Sequence, residues 1–461
     1  MSLMHKDRVT PHHTSPIRQD QTYILYWMQA AQRLHENYAL EAAMRASVRH
    51  NKPLRVLFVL DPTFKEANHR HYSFMLEGLS SLRDKLRALN IEFYLDIGPF
   101  TDTVVKHLSR AVLFIFDKGY TRALRAVRLA VVEAAIAENL PTYEIETELI
   151  VPIEKASQKC EYAARTLRPK LLRQVETYLD EAVLTPPLHA PLAEPSYADM
   201  PVEAWLTHIE ADTSIRKSPY FTGGEDIALA RLETFIDELL CHYDKSNDPS
   251  LNLTSQLSPY LHFGQLSAVR VYQRVSAALD RCPVAVEGFL EQLLVRRELA
   301  FNFVYYCNGY DRFDTMTDRW AYETMHAHAD DHRPILYTKD DYHRYDTHDP
   351  YFNAAMKEMV LTGYMHNYMR MYWGKKIIEW SPDMKTAYET ILELNNAYFI
   401  DGRDPNSYAG VAWLFGRHDR AWTRRDIFGS LRYMNAAGLK RKFDIEAYVE
   451  RMERLQPSKK S

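Results

Sequence analysis

Four stretches of the sequence combine residue types and spacings that can do chemistry. Thr254-Ser255-Gln256-Leu257-Ser258-Pro259 places small hydroxyl residues just before an expected helix. Free N–H groups and hydroxyls at a helix start suit a phosphate or pyrophosphate, and a plain helix cap uses the same residues. Asp401-Gly402-Arg403-Asp404-Pro405-Asn406 is a charged turn after an expected helix. Its carboxylates can hold ribose or amino-pyrimidine hydrogens, or the stretch is a surface turn rich in turn formers. In Met365–Trp380, Trp373 and Trp380 are seven residues apart, so they share nearly one helix face with roughly 10 Å of rise between them. That spacing can pass an electron between rings, and a tryptophan-bearing core face gives the same pattern. From Arg417 to Lys442 eight Lys/Arg stand against two Asp, with Trp413 and Trp422 alongside. Aromatics interleaved with arginines suit extruded bases, which need stacking and phosphate clamping together; a solvated surface is the plainer reading.

Other chemistries find no support. The histidines, 19 in all with a group between His326 and His348, show no HExxH or other firm ligand spacing, so no metal is expected. There is no G-x-S-x-G elbow, GxGxxG or Walker A motif. The net charge of −4 rules out a globally basic nucleic-acid binder and makes the local basic stretch the informative feature. No apolar run reaches the length of a membrane span, and the polar N-terminus has no signal core. Cys160, Cys241, Cys282 and Cys307 lack CxxC spacing, which argues against a disulfide framework or zinc site and fits a reducing, cytoplasmic setting.

The elements that must position these residues fall into two classes. Tyr23–Trp27, Leu54–Leu60, Ile91–Ile97, Ala111–Phe116 and Thr142–Ile145 read as strands, with helical spacing over 33–49, 72–89 and 121–139 between them. Continuous apolar strands alternating with helices predict a doubly wound, Rossmann-like parallel sheet over residues 21–182, with ligands outside the strands' carboxyl ends. Residues 183–222 carry clustered prolines and read as a linker with a short helix near 202–209. Residues 223–461 show only helical periods, including 286–306, 351–361, 365–380 and 384–398, and predict an all-α C-terminal domain.

Taken jointly, SPYLHFGQLS, YMRMYWGKKIIEW, DGRDPNSYAG, HDRAW and LRYMNAAGLKRKFD, with YWMQAAQRLHENYAL and SQKCEYAARTLRPK in the first half, closely resemble the class II cyclobutane pyrimidine dimer photolyases. The resemblance spans about residues 21 to 450. It implies an N-terminal antenna domain, with room for a deazaflavin-type chromophore, and a helical domain holding a bent FAD. The implied activity is light-driven electron donation from reduced FAD to a dimer flipped out of UV-damaged DNA, by a monomer with no membrane association. By motif position, Tyr243, Thr254, Ser255, Gln256, Leu257, Ser258, Asn302, Arg370, Asn395, Asp401 and Gly402 look like the flavin-binding set, with Asn395 opposite flavin N5. Met371 is similar to the methionine beside the dimer and Gln292 stands at the dimer-binding glutamate. Trp413 looks like the dimer-stacking tryptophan, and Arg296, Trp422 and Arg432 resemble DNA contacts. Trp373 and Trp380 match two carriers of the flavin-reducing chain.

The departures from the family pattern are specific. Phe352 stands where the next tryptophan carrier is usual, and phenylalanine is a poor electron donor. Gln292 replaces a glutamate and Phe301 an aspartate. Around Lys245-Ser246-Asn247 the arginine that enters the DNA bubble is missing. Two activities therefore stay open: dimer repair, favoured by Trp413, Arg432 and the basic stretch, and a cryptochrome-like blue-light receptor that keeps the flavin and loses repair, favoured by Gln292, Phe301 and the missing bubble arginine.

Overall fold

The computed structural model describes residues 5–456. The last five residues of the expected helical domain, 457–461, lie outside the described residues.

Six strands, β1 (Val9–His13), β2 (Tyr23–Trp27), β3 (Leu54–Leu60), β4 (Glu92–Ile97), β5 (Ala111–Asp117) and β6 (Thr142–Ile145), form one sheet. Their order is β1-β6-β5-β2-β3-β4. The five expected strands run parallel to one another. The sequence reading does not anticipate β1, an antiparallel strand on the β6 edge. Helices α1 (Tyr38–His50) and α2 (His69–Ala88) cover one face of the sheet, and α3 (Phe100–Leu108) and α4 (Arg122–Ala137) the other. Alternation along β2 divides its side chains between the two faces: Ile24 and Tyr26 pack with Leu40 and Leu79, while Leu25 and Trp27 pack with Val104 and Val131. Burial on both faces explains the largely apolar strands, and the buried exception in β3, Arg55, pairs with Glu92 of β4 at 2.7 Å.

After α5 (Ala164–Leu172) the proline-rich segment wraps back onto the α/β domain. Its short helix, Val202–Leu206, buries Trp205 completely, and the indole N–H donates to the Tyr197 carbonyl at 2.5 Å. From Glu225 onward every regular element is helical among the described residues. The helices that matter most are α6 (Pro350–Thr362), α7 (Asn367–Trp380), α8 (Met384–Tyr398) and α9 (Pro405–Leu414). Local chemistry sets their ends. Asp349 caps α6 by accepting from Tyr351 and Phe352 N–H groups, and Gly363, at φ 78°, ends it. Asp383 caps α8, and Asp404 caps α9 with Pro405 at its first position. The expected helix at 286–306 is interrupted by a π-turn, Glu291–Arg296, which holds Gln292 and Arg296. Such widened turns change which residues share a face.

The two domains press together at Gly264. Its φ is +63°, and a Cβ there would come within 1.7 Å of the Ala30 carbonyl oxygen. Arg33 seals the contact by donating to the Gly264 carbonyl at 3.0 Å.

The cysteines correct the sequence reading. Cys160 pairs with Cys307, and Cys241 with Cys282, as disulfides. The partners are 147 and 41 residues apart, so tertiary approach and not local spacing sets the pairing. Cysteine usage therefore does not speak for a reducing compartment. No described helix is long and apolar enough to cross a membrane.

Candidate functional site

The hydroxyl loop and the charged turn, almost 150 residues apart in sequence, are joined through α7. Thr254 accepts a hydrogen bond from the Tyr364 hydroxyl at 3.0 Å. The Tyr364 ring lies 5.7 Å from the Arg370 guanidinium, which sits 3.8 Å over the Phe399 ring. Arg370 reaches both oxygens of Asp401, at 3.1 and 3.2 Å. Loop, helix and turn thus form one continuous polar and aromatic wall. His262, at the end of the one-turn helix after the loop, bonds Asp404 at 3.0 Å and ties the loop to the turn a second time. Because that helix has only five residues, an anion here would rely on loop hydroxyls and N–H groups more than on a helix dipole.

Several of these groups are left open toward a ligand. The hydroxyls of Ser255 and Ser258 are half-buried and have no hydrogen-bond partner among the described residues. Gln256, at φ +53°, accepts from Arg231 at 2.7 Å. Leu257 is buried in the apolar cluster that also holds Tyr364, and Tyr243 packs on that cluster through Phe289 at 5.2 Å. Asn395 is buried, and its amide nitrogen donates to Asn396 at 3.0 Å. Its carbonyl oxygen has no partner among the described residues. Gly402 lies so close to this backbone that a Cβ would meet the Asn396 oxygen at 2.8 Å. Unpartnered hydroxyls, a carbonyl and a paired arginine fit the phosphate, ring and ribose groups of a dinucleotide. Asn302 is engaged elsewhere: its Oδ1 accepts from Glu161 N–H at 2.7 Å and its Nδ2 donates to the Lys159 carbonyl at 2.9 Å.

A second group of side chains opens on the same helix. Met371, next to Arg370, lines a cavity of about 320 Å³ with Tyr368, Trp422 and Arg432. The Arg432 guanidinium stacks 4.3 Å from the Trp422 ring and 5.1 Å from the Trp413 ring, and Asp419 pairs with it at 3.3 Å. Beneath them Lys375 is 1 % exposed, donates to the Leu414 carbonyl at 2.6 Å and lies 5.6 Å from the Trp413 ring. Burial and the nearby Arg432 outweigh Asp419 and push its ammonium down to about 7. Gln292 and Arg296 are exposed on the π-turn, where Glu291 holds Arg296 at 3.2 Å and Arg168 of α5 at 2.7 Å.

The DNA photolyase family model matches residues 24–192. A deoxyribodipyrimidine photo-lyase of Methanothermobacter thermautotrophicus is 42 % identical over 94 % of this chain and 95 % of its own. One of Potorous tridactylus is 36 % identical over 94 % of this chain and 82 % of its own. The chain belongs to the deoxyribodipyrimidine photo-lyase family. Among solved structures, an archaeal photolyase from Sulfolobus tokodaii with two FAD molecules superimposes at a TM-score of 0.70, with 16 % identity, over 93 % of this chain and 90 % of that one. At that identity the likeness concerns the fold.

Within this photo-lyase family member, the departures from the usual motifs fall in different places. Phe352 is fully buried and edge-on to Trp380 at 5.1 Å. Trp380 also contacts Tyr337 at 5.2 Å, and Tyr342 lies 5.4 Å from Phe352. Trp373 of α7 packs against α6 one turn beyond Phe352, its indole N–H 2.9 Å from the Met356 sulfur. Phe301 is 1 % exposed and packs against Tyr120 of the α/β domain at 4.8 Å and against Arg297 at 4.6 Å. It is part of the domain seam. The sequence assigns no role to Tyr364, Lys375, Asp419, Tyr337 or Arg168, although Lys375, Asp419 and Arg168 lie inside the quoted motifs. Only their partners in space single them out, and no spacing signal precedes them.

Proposed function

We propose that the chain uses light to reopen cyclobutane pyrimidine dimers in DNA, as a class II enzyme with FAD as its working cofactor. One observation carries the reading: Arg370 and Met371 are neighbours on α7, the first facing Asp401 and the Thr254 wall, the second opening into the cavity bordered by Trp422 and Arg432. A dinucleotide on one side and an extruded lesion on the other would then be separated by a single helix. The described donor set fits FAD: Thr254, Ser255 and Ser258 would hold its phosphates, Asp401 the ribose or adenine, and Arg370 and Asn395 the ring system. Bound, reduced and illuminated FAD supplies the electron that opens the cyclobutane ring.

The residues of the chain orient and enclose. Asn395 offers a neutral amide, which tolerates a change of protonation beside it better than a carboxylate does. Trp413 stacks the extruded bases and Arg432, released from Asp419, clamps a phosphate. Trp373 and Trp380 would serve as electron carriers toward a bound flavin, with Phe352, packed against Trp380, as the weak point. A light-harvesting chromophore of the deazaflavin type would take the crevice outside the carboxyl ends of β2 and β5, where the strand order reverses. Every residue named belongs to one chain, so a monomer suffices. The receptor reading loses one support, because Phe301 packs in the domain seam. An absorption spectrum of the purified protein followed by a dimer-repair assay under blue light tests the proposal. Bound flavin with light-dependent repair supports it; bound flavin without repair turns the reading toward a receptor.

A further inference from the structure

The segment 157–170, SQKCEYAARTLRPK, takes no part in the flavin or lesion reading, yet the helical domain grips it from several directions. Asn302 holds the Lys159 carbonyl and the Glu161 N–H. Cys160 is disulfide-bonded to Cys307, and the Arg417 guanidinium, paired with Asp318 at 2.9 Å, lies 2.9 Å from the Cys160 sulfur. His418 donates from Nδ1 to the Tyr162 carbonyl at 2.7 Å. Arg417 and His418 lead directly into Asp419 and the Trp422–Arg432 stack. A strap at the surface is thus fixed against the loop that carries the lesion-facing side chains.

What the strap presents is positive. Residues 154–173 hold six Lys/Arg and two Glu. Lys155, Lys159, Lys170 and Arg173 line a groove of about 510 Å³. Lys155 is paired with Asp7, Lys170 with Glu161 and Arg168 with Glu291. Lys159, Arg165 and Arg173 are exposed and have no acidic partner among the described residues. Three unneutralised cations on a backbone that is already ordered lose little entropy on meeting a polyanion. Their firm connection to the Trp413–Trp422–Arg432 group gives that polyanion a direction.

We propose that this ledge of the α/β domain is a second DNA-contact surface, taking the sugar-phosphate backbone of the duplex arm beside the lesion through Lys159, Arg165 and Arg173. The proposal rests on the repair reading and names a further part of the same interface. Phosphate contacts position a duplex without reading it, so the ledge adds affinity for longer duplexes and leaves lesion preference unchanged.

The test is fluorescence polarisation in the dark with the full chain, comparing wild type with the triple variant Lys159→Ala, Arg165→Ala, Arg173→Ala. The probes are a long dimer-containing duplex of about three helical turns, an intact duplex of the same length, and a dimer-containing duplex shorter than one turn. With each phosphate contact contributing about 0.9 to the slope of log affinity against log salt, the triple variant should lose up to ~3 from that slope on the long duplexes. It should bind them roughly 10- to 100-fold more weakly at moderate salt, keep its preference for dimer over intact DNA, and bind the short duplex as the wild type does. The conservative variant Lys159→Arg, Arg165→Lys, Arg173→Lys should restore long-duplex binding. Unchanged slope and affinity on the long duplex would overturn the ledge, and so would an equal loss on the short one. A wild type with no preference for the dimer, whose long-duplex affinity still falls in the triple variant, would overturn the repair reading and leave the ledge standing.

Discussion

Lys375→Met removes a buried ammonium from beneath Trp413, and the structure says what that removal should do at each pH. In the unfolded chain this amine titrates at its ordinary 10.5, whereas in the folded protein burial lowers it to about 7. Between those values the unfolded state binds the extra proton, so this group makes stability rise with pH across the window from about 7 to 10.5. Below it the full cost is present. The gap of roughly 3.5 pH units, at ~1.4 kcal/mol each, sets a ceiling of about 5 kcal/mol; relaxation and water penetration bring the realised value to a few kcal/mol. Opposing it, Lys375 satisfies the Leu414 carbonyl at the end of α9, a bond of about 1–3 kcal/mol. Lys375→Met should therefore be more stable than wild type at about pH 6 and lose that advantage at about pH 10. Urea unfolding followed by circular dichroism at both pH values measures the difference. Dimer-DNA binding should weaken in the same variant, because the end of the helix carrying Trp413 loses its anchor. Wild-type and variant midpoints that run parallel across the whole range would refute the reasoning.

Three further outcomes follow from the site. Trp413→Ala should erase most preference for damaged DNA, a loss of ~1–3 kcal/mol of stacking, while Arg432→Ala weakens binding to all DNA; competition binding with dimer and intact duplexes separates the two. Phe352→Trp should speed light-driven flavin reduction in the presence of a thiol, and Trp373→Phe should nearly abolish it, as followed by flavin absorbance; the larger ring at the fully buried Phe352 costs about 1–3 kcal/mol of stability. Gly402→Ala pushes a Cβ against the Asn395 and Asn396 carbonyls, at 3.0 and 2.8 Å, and should lower the flavin content of the purified protein with the α/β domain still folded.

The sheet is legible in the sequence because its strands are buried on both faces. LRVLFVL, apolar but for Arg55, and AVLFIF are ended by Asp61-Pro62 and by Asp117-Lys118-Gly119. The strand Val9–His13 has no such run: it holds Pro11 and two histidines and stands on an edge with one neighbour. The π-turn at 291–296 is silent as well, since one widened turn barely disturbs a helical period. Motif-bearing site residues such as Ser258, Arg370 and Asp401 could be named from the chain. Tyr364 and Lys375 could not, because each acts through a partner, Thr254 or Leu414, that only the fold brings near. The disulfides fail for the same reason: Cys160 and Cys307 meet across the two domains.

The central claim is that this chain opens pyrimidine dimers when its flavin is reduced and lit. The most direct measurement uses protein reduced chemically under anaerobic conditions, which bypasses the break at Phe352, mixed with a synthetic oligonucleotide containing one cyclobutane thymine dimer. Chromatography of the strand before and after blue light counts intact dimers. The account predicts restored thymines in the lit sample, none in the dark sample, and far fewer with Trp413→Ala. Reduced, flavin-loaded wild-type protein that leaves the dimer untouched after prolonged illumination would contradict it.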